Sequence, residues 1–198
     1  MIALYSGTPG SGKSLHVART IKGFLFLGKP VICNFEVNTN KLRNKDKFLY
    51  LDNRNLTPKK LIKFSREYFE NKPREDSILL VVDECQMMFN ARSWDAKGRD
   101  EWNNFFQTHR HYGYYVILVA QFDRMIDRQI RSLIEYEYVH RKVSNMGIKG
   151  RFFSWALLSN NLMVAVKIWY PMKERLSSEF FRPSKRLYRL YDTYATFK

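Results

Sequence analysis

The fold class that the sequence predicts is α/β: a parallel sheet with flanking helices, followed by a β-rich C-terminal appendage. The apolar run at residues 78–82 is too short for a helix and fits a strand buried on both faces, as in a parallel sheet. Similar runs lie at residues 2–6 and 114–120. Helical spacing between these runs, and alternating apolar and polar positions beyond residue 134, complete the pattern.

Turn-forming and capping residues set the limits of the helices. The helix predicted over residues 14–27 ends at Gly28. A second helix, over residues 57–71, begins at Thr57, whose hydroxyl can cap the first turn. The third, over residues 100–112, has aromatic side chains at helical spacing along one face.

The remaining strands are short before residue 134 and alternate in polarity after it. The predicted strands cover residues 31–35, 48–51, 134–143, 152–158 and 162–169, and Asn160-Asn161 is predicted as a hairpin turn. We expect one domain over residues 1–198, with a core at 1–133 and a β-rich extension at 134–198.

Charge and cysteine content limit the partners and the compartment. The formal net charge of +15 is concentrated in residues 22–74 and 140–198, whereas residues 75–139 are net acidic. Clustered cations favour a polyanion, either a nucleic acid or the anionic face of a membrane. Cys33 and Cys85 do not suit a disulfide framework or a zinc site, so a reducing compartment fits. No run is long and apolar enough to span a bilayer, and we expect the chain itself to be soluble.

A glycine-rich segment between the first strand and the first helix matches the phosphate-binding pattern GxxxxGK[ST]. Backbone N–H groups of such a loop bind phosphate oxygens, the lysine contacts the β- and γ-phosphates, and the final hydroxyl ligates Mg²⁺. The sequence therefore predicts binding of ATP and Mg²⁺. The residues are Gly7, Thr8, Pro9, Gly10, Ser11, Gly12, Lys13 and Ser14.

Acidic residues follow the strand predicted at residues 78–82. We expect Asp83 to hold Mg²⁺ together with Ser14, and Glu84 to accept the proton of the attacking water. At the end of the strand at 114–120, Gln121 is a candidate for sensing the γ-phosphate or orienting water.

Arginines and histidines near this point are further candidates for site residues. Arg110 and Arg131 are candidate arginine fingers, donated to a neighbouring subunit of a homo-oligomer. Arg124 and Arg128 lie in the same stretch. The spacing of the histidines gives no metal site, and we expect His16 and His140 to be packing or solvent residues, each on its own.

With these features in view, the chain resembles the zonular occludens toxin family of filamentous-phage assembly ATPases. The stretch FFQTHRHYGYYVILVAQ, followed by Ile130-Arg131-Ser132-Leu133, carries the resemblance. It implies an additional-strand P-loop fold, with the strand before Gln121 placed between the P-loop strand and the Asp83 strand. It also implies a motor domain at the cytoplasmic face of the bacterial inner membrane, anchored by a helix C-terminal to it.

The same resemblance implies partners: single-stranded DNA or phage nucleoprotein, and phage coat and assembly proteins. We expect the anchoring helix either to follow Lys198 or to be lacking in a soluble member. A small-molecule kinase and a nucleotide-gated scaffold remain alternatives. A kinase would not need Glu84 as a base for water, and a scaffold would tolerate loss of Glu84 or Gln121.

Overall fold

The computed structural model describes residues 1–70, 72–92, 98–145 and 162–190. The strands are β1 (Ile2–Ser6), β2 (Val31–Cys33), β3 (Phe48–Tyr50), β4 (Ile78–Val82), β5 (Tyr114–Val119), β6 (Tyr136–Lys142), β7 (Met163–Trp169) and β8 (Glu174–Phe181). The α-helices are α1 (Lys13–Phe26), α2 (Pro58–Phe69), α3 (Arg99–Thr108), α4 (Arg128–Ser132) and α5 (Lys185–Tyr188).

The described strands form one eight-stranded sheet in the order β3-β2-β4-β5-β1-β6-β7-β8. The six strands from β3 to β6 in this order are parallel, and β7 and β8 are added antiparallel. Strand β5 separates β1 from β4, which confirms the strand order that the resemblance implies. The carboxyl ends of the parallel strands therefore share one edge, where ligands bind in open α/β sheets.

Helices cover both faces of the sheet. Strands β1, β4 and β5 are therefore buried along their whole length. On one face, Val17, Ile21 and Leu25 of α1 pack against the strands. On the other face, α2, α3 and α4 contribute Leu61, Phe105, Phe106 and Ile130. Thr57 caps α2 as predicted, since its hydroxyl accepts a hydrogen bond from the Lys60 amide at 3.4 Å.

The predicted α/β class and parallel sheet are confirmed, and the C-terminal part takes a different form from the expected appendage. Strand β6 pairs in parallel with β1, so the sheet continues across residue 134. The strand predicted at 152–158 and the turn at Asn160-Asn161 lie outside the described residues. Strand β8 was not predicted, and the third helix ends at Thr108 and continues as a 3-10 turn. Among the described residues no helix is long and apolar enough to cross a membrane.

Candidate nucleotide-binding site

The loop between β1 and α1 follows a path that requires glycine. Gly7 has φ 141° and Gly12 has φ 99°, which side chains rarely adopt. A Cβ at Gly7 would lie 2.5 Å from the carbonyl oxygen of His140, and one at Gly12 would lie 3.1 Å from Cγ of Met163. The loop is thus packed against β6 and β7 from behind.

Lys13 lies at the start of α1 and folds back over the loop. Its Nζ donates hydrogen bonds to the carbonyl oxygens of Gly7 at 2.6 Å and Thr8 at 3.2 Å. Burial lowers the pKa of the Lys13 ammonium, while the charges of Glu84 and Asp83 act in the opposite direction. Strands β1, β5 and β4 are parallel neighbours, so the loop that ends at Lys13 and the two acids after β4 lie at the same edge of the sheet.

Asp83 follows β4 and is 7% exposed. Burial raises the pKa of its carboxyl group to about 6, and a 2.8 Å hydrogen bond from the Glu84 amide opposes that shift. A buried carboxylate at the carboxyl edge of the sheet, near a lysine, is an oxygen ligand of the kind that Mg²⁺ prefers.

Glu84 is half-buried and has a left-handed backbone conformation, φ 45°. Its carboxylate accepts a short hydrogen bond from the Gln86 side-chain amide. The amide fixes one carboxylate oxygen, Oε2. The sequence offered no signal for Gln86, which lies in a 3-10 turn after the acidic pair.

Asn34, immediately after β2, holds the backbone of Asp83 in place. Its Oδ1 accepts from the Asp83 amide at 2.7 Å, and its Nδ2 donates to the Asp83 carbonyl at 2.9 Å. The same Nδ2 donates to Asn53 Oδ1 at 2.8 Å. Sequence reasoning missed Asn34, although a polar residue ending an apolar run is the signal that selected Gln121.

Gln121 lies two residues beyond the end of β5, beside the loop. Its carbonyl oxygen accepts a hydrogen bond from the Gly7 amide at 3.1 Å. The side chain is partly exposed and lines a groove of about 500 Å³ with Gly7 and Thr8. The structure therefore places Gln121 at the site, and its hydrogen bond to the loop is made by the backbone.

A buried pair of histidines supports the loop from behind. His16 Nδ1 and His140 Nε2 are 2.9 Å apart, and His140 Nδ1 lies 3.1 Å from the carbonyl oxygen of Ser6. The ring of Tyr5 stacks on His16 at 4.6 Å. Burial lowers the pKa of both imidazoles, so both are neutral at pH 7. The expectation that both are packing residues is confirmed by their burial, whereas the expectation that each stands on its own was wrong, since they pair across 124 residues of sequence.

A second set of polar contacts joins the loop to the turn between β7 and β8. Ser6 Oγ donates to the buried Glu137 at 2.6 Å, and Lys173 Nζ lies 3.3 Å from Glu137 and 3.5 Å from Asp123. The hydroxyl of Tyr170 donates to Asp123 at 2.9 Å. Sequence reasoning found none of these residues, since no motif connects them.

Of the candidate arginines, Arg110 lies away from the phosphate-binding loop. Arg110 forms a 2.6 Å ion pair with Glu135, which also accepts from the Ile2 amide. Ile2 begins β1 and the loop follows its end, so Arg110 lies about 13 Å along the strand from the loop. Arg131 is half-buried near the end of α4, and Arg124 and Arg128 are exposed. A role for Arg110 or Arg131 in a neighbouring subunit stays a prediction.

The chemistry of the loop fits a triphosphate and Mg²⁺. Ser11 is 3% exposed, and its Oγ has no hydrogen-bond partner among the described residues, as expected of a donor that serves a ligand. Ser14 and Asp83 supply hard oxygen ligands. Within the described residues no group of three His, Cys, Asp or Glu side chains could hold a metal ion. Phosphate oxygens and water would complete the shell.

Comparison with known proteins gives the same family over the whole chain. The family model described as zonular occludens toxin (Zot) matches residues 1–198. The Gene 1 protein of Enterobacteria phage fd is 26% identical over 208 residues, covering 97% of this chain and 59% of the phage protein. A putative assembly protein, ORF301 of Pseudomonas phage Pf3, is 27% identical over 136 residues, covering 68% and 40%. The chain thus spans less than two thirds of these relatives.

Solved structures share the fold at low sequence identity. The N-terminal domain of zonular occludens toxin from Neisseria meningitidis has a TM-score of 0.58 and 21% identity, covering 97% of this chain and 98% of that domain. The genome packaging NTPase of Sulfolobus turreted icosahedral virus 2, in complex with AMPPCP, has a TM-score of 0.52 and 12% identity, covering 92% and 97%. The fold is therefore that of P-loop NTPases, and the chain belongs to the zonular occludens toxin (Zot) family.

Proposed function

We propose that this chain binds ATP with Mg²⁺ and hydrolyses it to ADP and phosphate. The observation that carries the proposal is the meeting of Lys13, Asp83 and Glu84 at the carboxyl edge of the sheet, although Lys13 is 70 residues from Asp83 in the sequence. A phosphate-binding loop, a magnesium ligand and a base for water are the parts that phosphoryl transfer to water needs.

Each residue has a separate task in this reaction. The loop amides and Lys13 Nζ bind the β- and γ-phosphates. To do so, Nζ gives up its hydrogen bonds to the carbonyl oxygens of Gly7 and Thr8. Ser14 and Asp83 would hold Mg²⁺, which would neutralise phosphate charge. Glu84 accepts the proton of the attacking water, with Gln86 orienting its carboxylate.

The family supports a role for this ATPase in assembling and extruding filamentous phage. Relatives include Gene 1 proteins of filamentous phages and a putative phage assembly protein. We infer that the chain works as a homo-oligomer at the cytoplasmic face of the inner membrane. A segment C-terminal to the chain would attach it to that membrane. Its partners there would be single-stranded DNA or phage nucleoprotein, together with coat and assembly proteins. The charge of +15 suits the nucleic acid and the anionic membrane face.

Two substitutions test the reaction. Lys13→Ala should abolish binding of a fluorescent ATP analogue, whereas Glu84→Gln should bind normally and release phosphate about 10²- to 10⁴-fold more slowly. Normal phosphate release by Glu84→Gln would overturn the base assignment. Nucleotide binding without phosphate release by the unaltered chain would favour a scaffold, and phosphate transfer to a small molecule would favour a kinase.

Subunit mixing tests the proposed arginine finger. A trans arginine contributes about 10³ to 10⁵ in rate in well-studied systems, so activity per subunit should rise with protein concentration. Lys13→Ala chains mixed with Arg131→Ala chains should recover activity that neither has alone. Arg110→Ala serves as the second donor variant. Full activity at high dilution, or no recovery with either donor variant, would discard the idea.

A further inference from the structure

A second groove, of about 700 Å³, lies beside α1 and away from the phosphate-binding loop. It is formed by the third turn of α1, the loop after β2, and residues 186–190. The Asn38 amide donates to the Leu190 carbonyl oxygen at 3.0 Å and so joins two of these walls. Leu190 is buried, which anchors the C-terminal wall.

Positive charge dominates the lining of this groove. Lys22, Lys41, Arg186 and Arg189 are all exposed, and among the residues that the structure describes no carboxylate lines the groove with them. None of the four forms an ion pair with a described residue. Four like charges along one groove repel each other, so an anion that spans them gains from all four.

An exposed aromatic ring lies one helical turn beyond the groove residue Lys22 on α1. Phe26 is four residues after Lys22, on the same face of the helix, and its side chain is 60% exposed. The guanidinium of Arg43 lies 5.4 Å from the centre of its ring. The loop after β2 thus contacts both features, since Lys41 lines the groove and Arg43 lies over the Phe26 ring. A basic groove next to an exposed ring is typical of surfaces that bind single-stranded nucleic acids.

We propose that this groove binds single-stranded DNA, with the four cations contacting phosphates and Phe26 stacking on a base. The DNA identity of the strand rests on the proposed function, while the groove and its charge do not. A bilayer surface would contact exposed cations but could not follow a concave groove lined by the amides of Asn38 and Asn40.

The groove and the ATP site share one rigid element. Helix α1 begins at Lys13, and Lys22 follows nine residues later, about 13 Å along the helix axis. Single-stranded DNA bound by Lys22 and a nucleotide phosphate bound by Lys13 would therefore both contact α1. This gives DNA a direct mechanical connection to the nucleotide site.

The main test replaces the four groove cations together. Lys22→Gln/Lys41→Gln/Arg186→Gln/Arg189→Gln is compared with a control, Arg54→Gln/Arg66→Gln/Lys72→Gln/Arg74→Gln, which removes four exposed cations elsewhere. Binding of a fluorescent oligothymidylate is measured by anisotropy over a salt series. The groove variant should lower the slope of log affinity against log salt by about 3, since each single-strand phosphate contact contributes about 0.7. The control should keep most of the slope.

A second variant separates stacking from charge. Phe26→Ala should weaken oligothymidylate binding about fivefold or more and leave the salt slope unchanged, because base stacking releases no counterions. Phe26→Tyr, which retains an aromatic ring, should restore the affinity. A variant that only perturbed the fold would not show this rescue.

Three outcomes would overturn the groove assignment. The first is an equal loss of DNA affinity in the groove variant and its charge-matched control. The second is unchanged DNA binding by the groove variant. The third is a groove variant that binds DNA normally and loses only its binding to vesicles of phosphatidylserine and phosphatidylcholine. Phosphate release without DNA is measured on every variant. Unaltered release with unaltered DNA binding would reject the groove and leave the proposed ATPase standing.

Discussion

The phosphate-binding loop has a charged front and a neutral rear. At the front, Lys13, Asp83 and Glu84 interact through charge. At the rear, His16 and His140 are buried, uncharged and hydrogen-bonded to each other. The residues of the front belong to short sequence motifs that directly follow β1 and β4. The rear depends on β6 and β7, which follow residue 134.

The charged residues of the site and the framework that positions them therefore come from distant parts of the sequence. The front holds the residues to which the proposed hydrolysis is assigned, and they are recognisable by type and spacing. The rear fixes where the loop can lie, through the backbone of β6 and the side chain of Met163. Substitutions at the rear should therefore change binding at the front without touching a reactive group.

The largest effect is expected from Gly7→Ala. Its Cβ would meet the His140 carbonyl oxygen at 2.5 Å, so either the loop or β6 has to move. Nucleotide binding should be lost and the melting temperature should fall. Gly10→Ala is the matched control: Gly10 also has positive φ, 73°, but nothing lies within 4 Å of its Cβ, so only about 1–2 kcal/mol of backbone strain is expected. Equal losses in the two variants would mean that contact with β6 is unimportant.

Asn34→Ala should weaken the front through its support. The substitution removes the two hydrogen bonds that the Asn34 side chain makes with the backbone of Asp83, at about 0.5–1.5 kcal/mol for each bond. We expect weaker Mg²⁺-dependent binding of an ATP analogue and a lower free energy of unfolding. Asn53→Ala removes only the outer hydrogen bond of Asn34 and should have a smaller effect on both measurements. A larger effect from Asn53→Ala would contradict this order.

Acid should destabilise the rear. Burial holds the pKa of His16 and His140 below the ordinary value of 6.5, so below that pH the unfolded chain binds more protons than the folded chain. The free energy of unfolding should therefore fall as the pH drops below 6.5. His16→Leu should cost about 1–3 kcal/mol at neutral pH and flatten this dependence, measured by urea unfolding over a pH series. The exposed His111→Leu should leave the curve unchanged, and a similar flattening there would assign the effect elsewhere.

The smallest effect, of opposite sign, is expected at Asp83. Its pKa of about 6 lies above the ordinary 3.8, so the folded chain binds more protons between these values and its stability falls as pH rises through that window. Asp83→Asn should raise the free energy of unfolding by about 1–2 kcal/mol above pH 6, because the buried charge is removed. The same variant should lose Mg²⁺-dependent nucleotide binding. Lower stability at neutral pH would show that the carboxylate is well compensated by Lys13.

Much of the front and of the central sheet could be predicted because contiguous residues define them. The loop from Gly7 to Ser14 contains its own glycines, lysine and hydroxyl, and the fully buried strands are continuous apolar runs. Strand β8 gave no such pattern, since most of its residues, Glu174–Phe181, are exposed or half-buried. Its position depends on seven residue pairs with β7.

The rear could not be predicted from local spacing. His16 and His140 meet only because β6 lies beside β1, and that neighbour relation is a property of the sheet order. The contact of Glu137 with Ser6 has the same origin. Arg110 shows the converse, because it is close to Gln121 in sequence while β5 separates the two along its whole length; its role in a neighbouring subunit stays a prediction.

The two glycines that face the rear differ in how a second mutation could rescue them. Gly7 is confined by a backbone carbonyl, which every residue at position 140 would present, so a suppressor of Gly7→Ala cannot be a simple replacement of His140. Gly12 is confined by the flexible side chain of Met163. Met163→Ala should therefore relieve the steric part of Gly12→Ala and leave the backbone strain. In a selection for restored function, second-site substitutions at Met163 should rescue Gly12→Ala. Gly7→Ala should be rescued only by reversion to glycine.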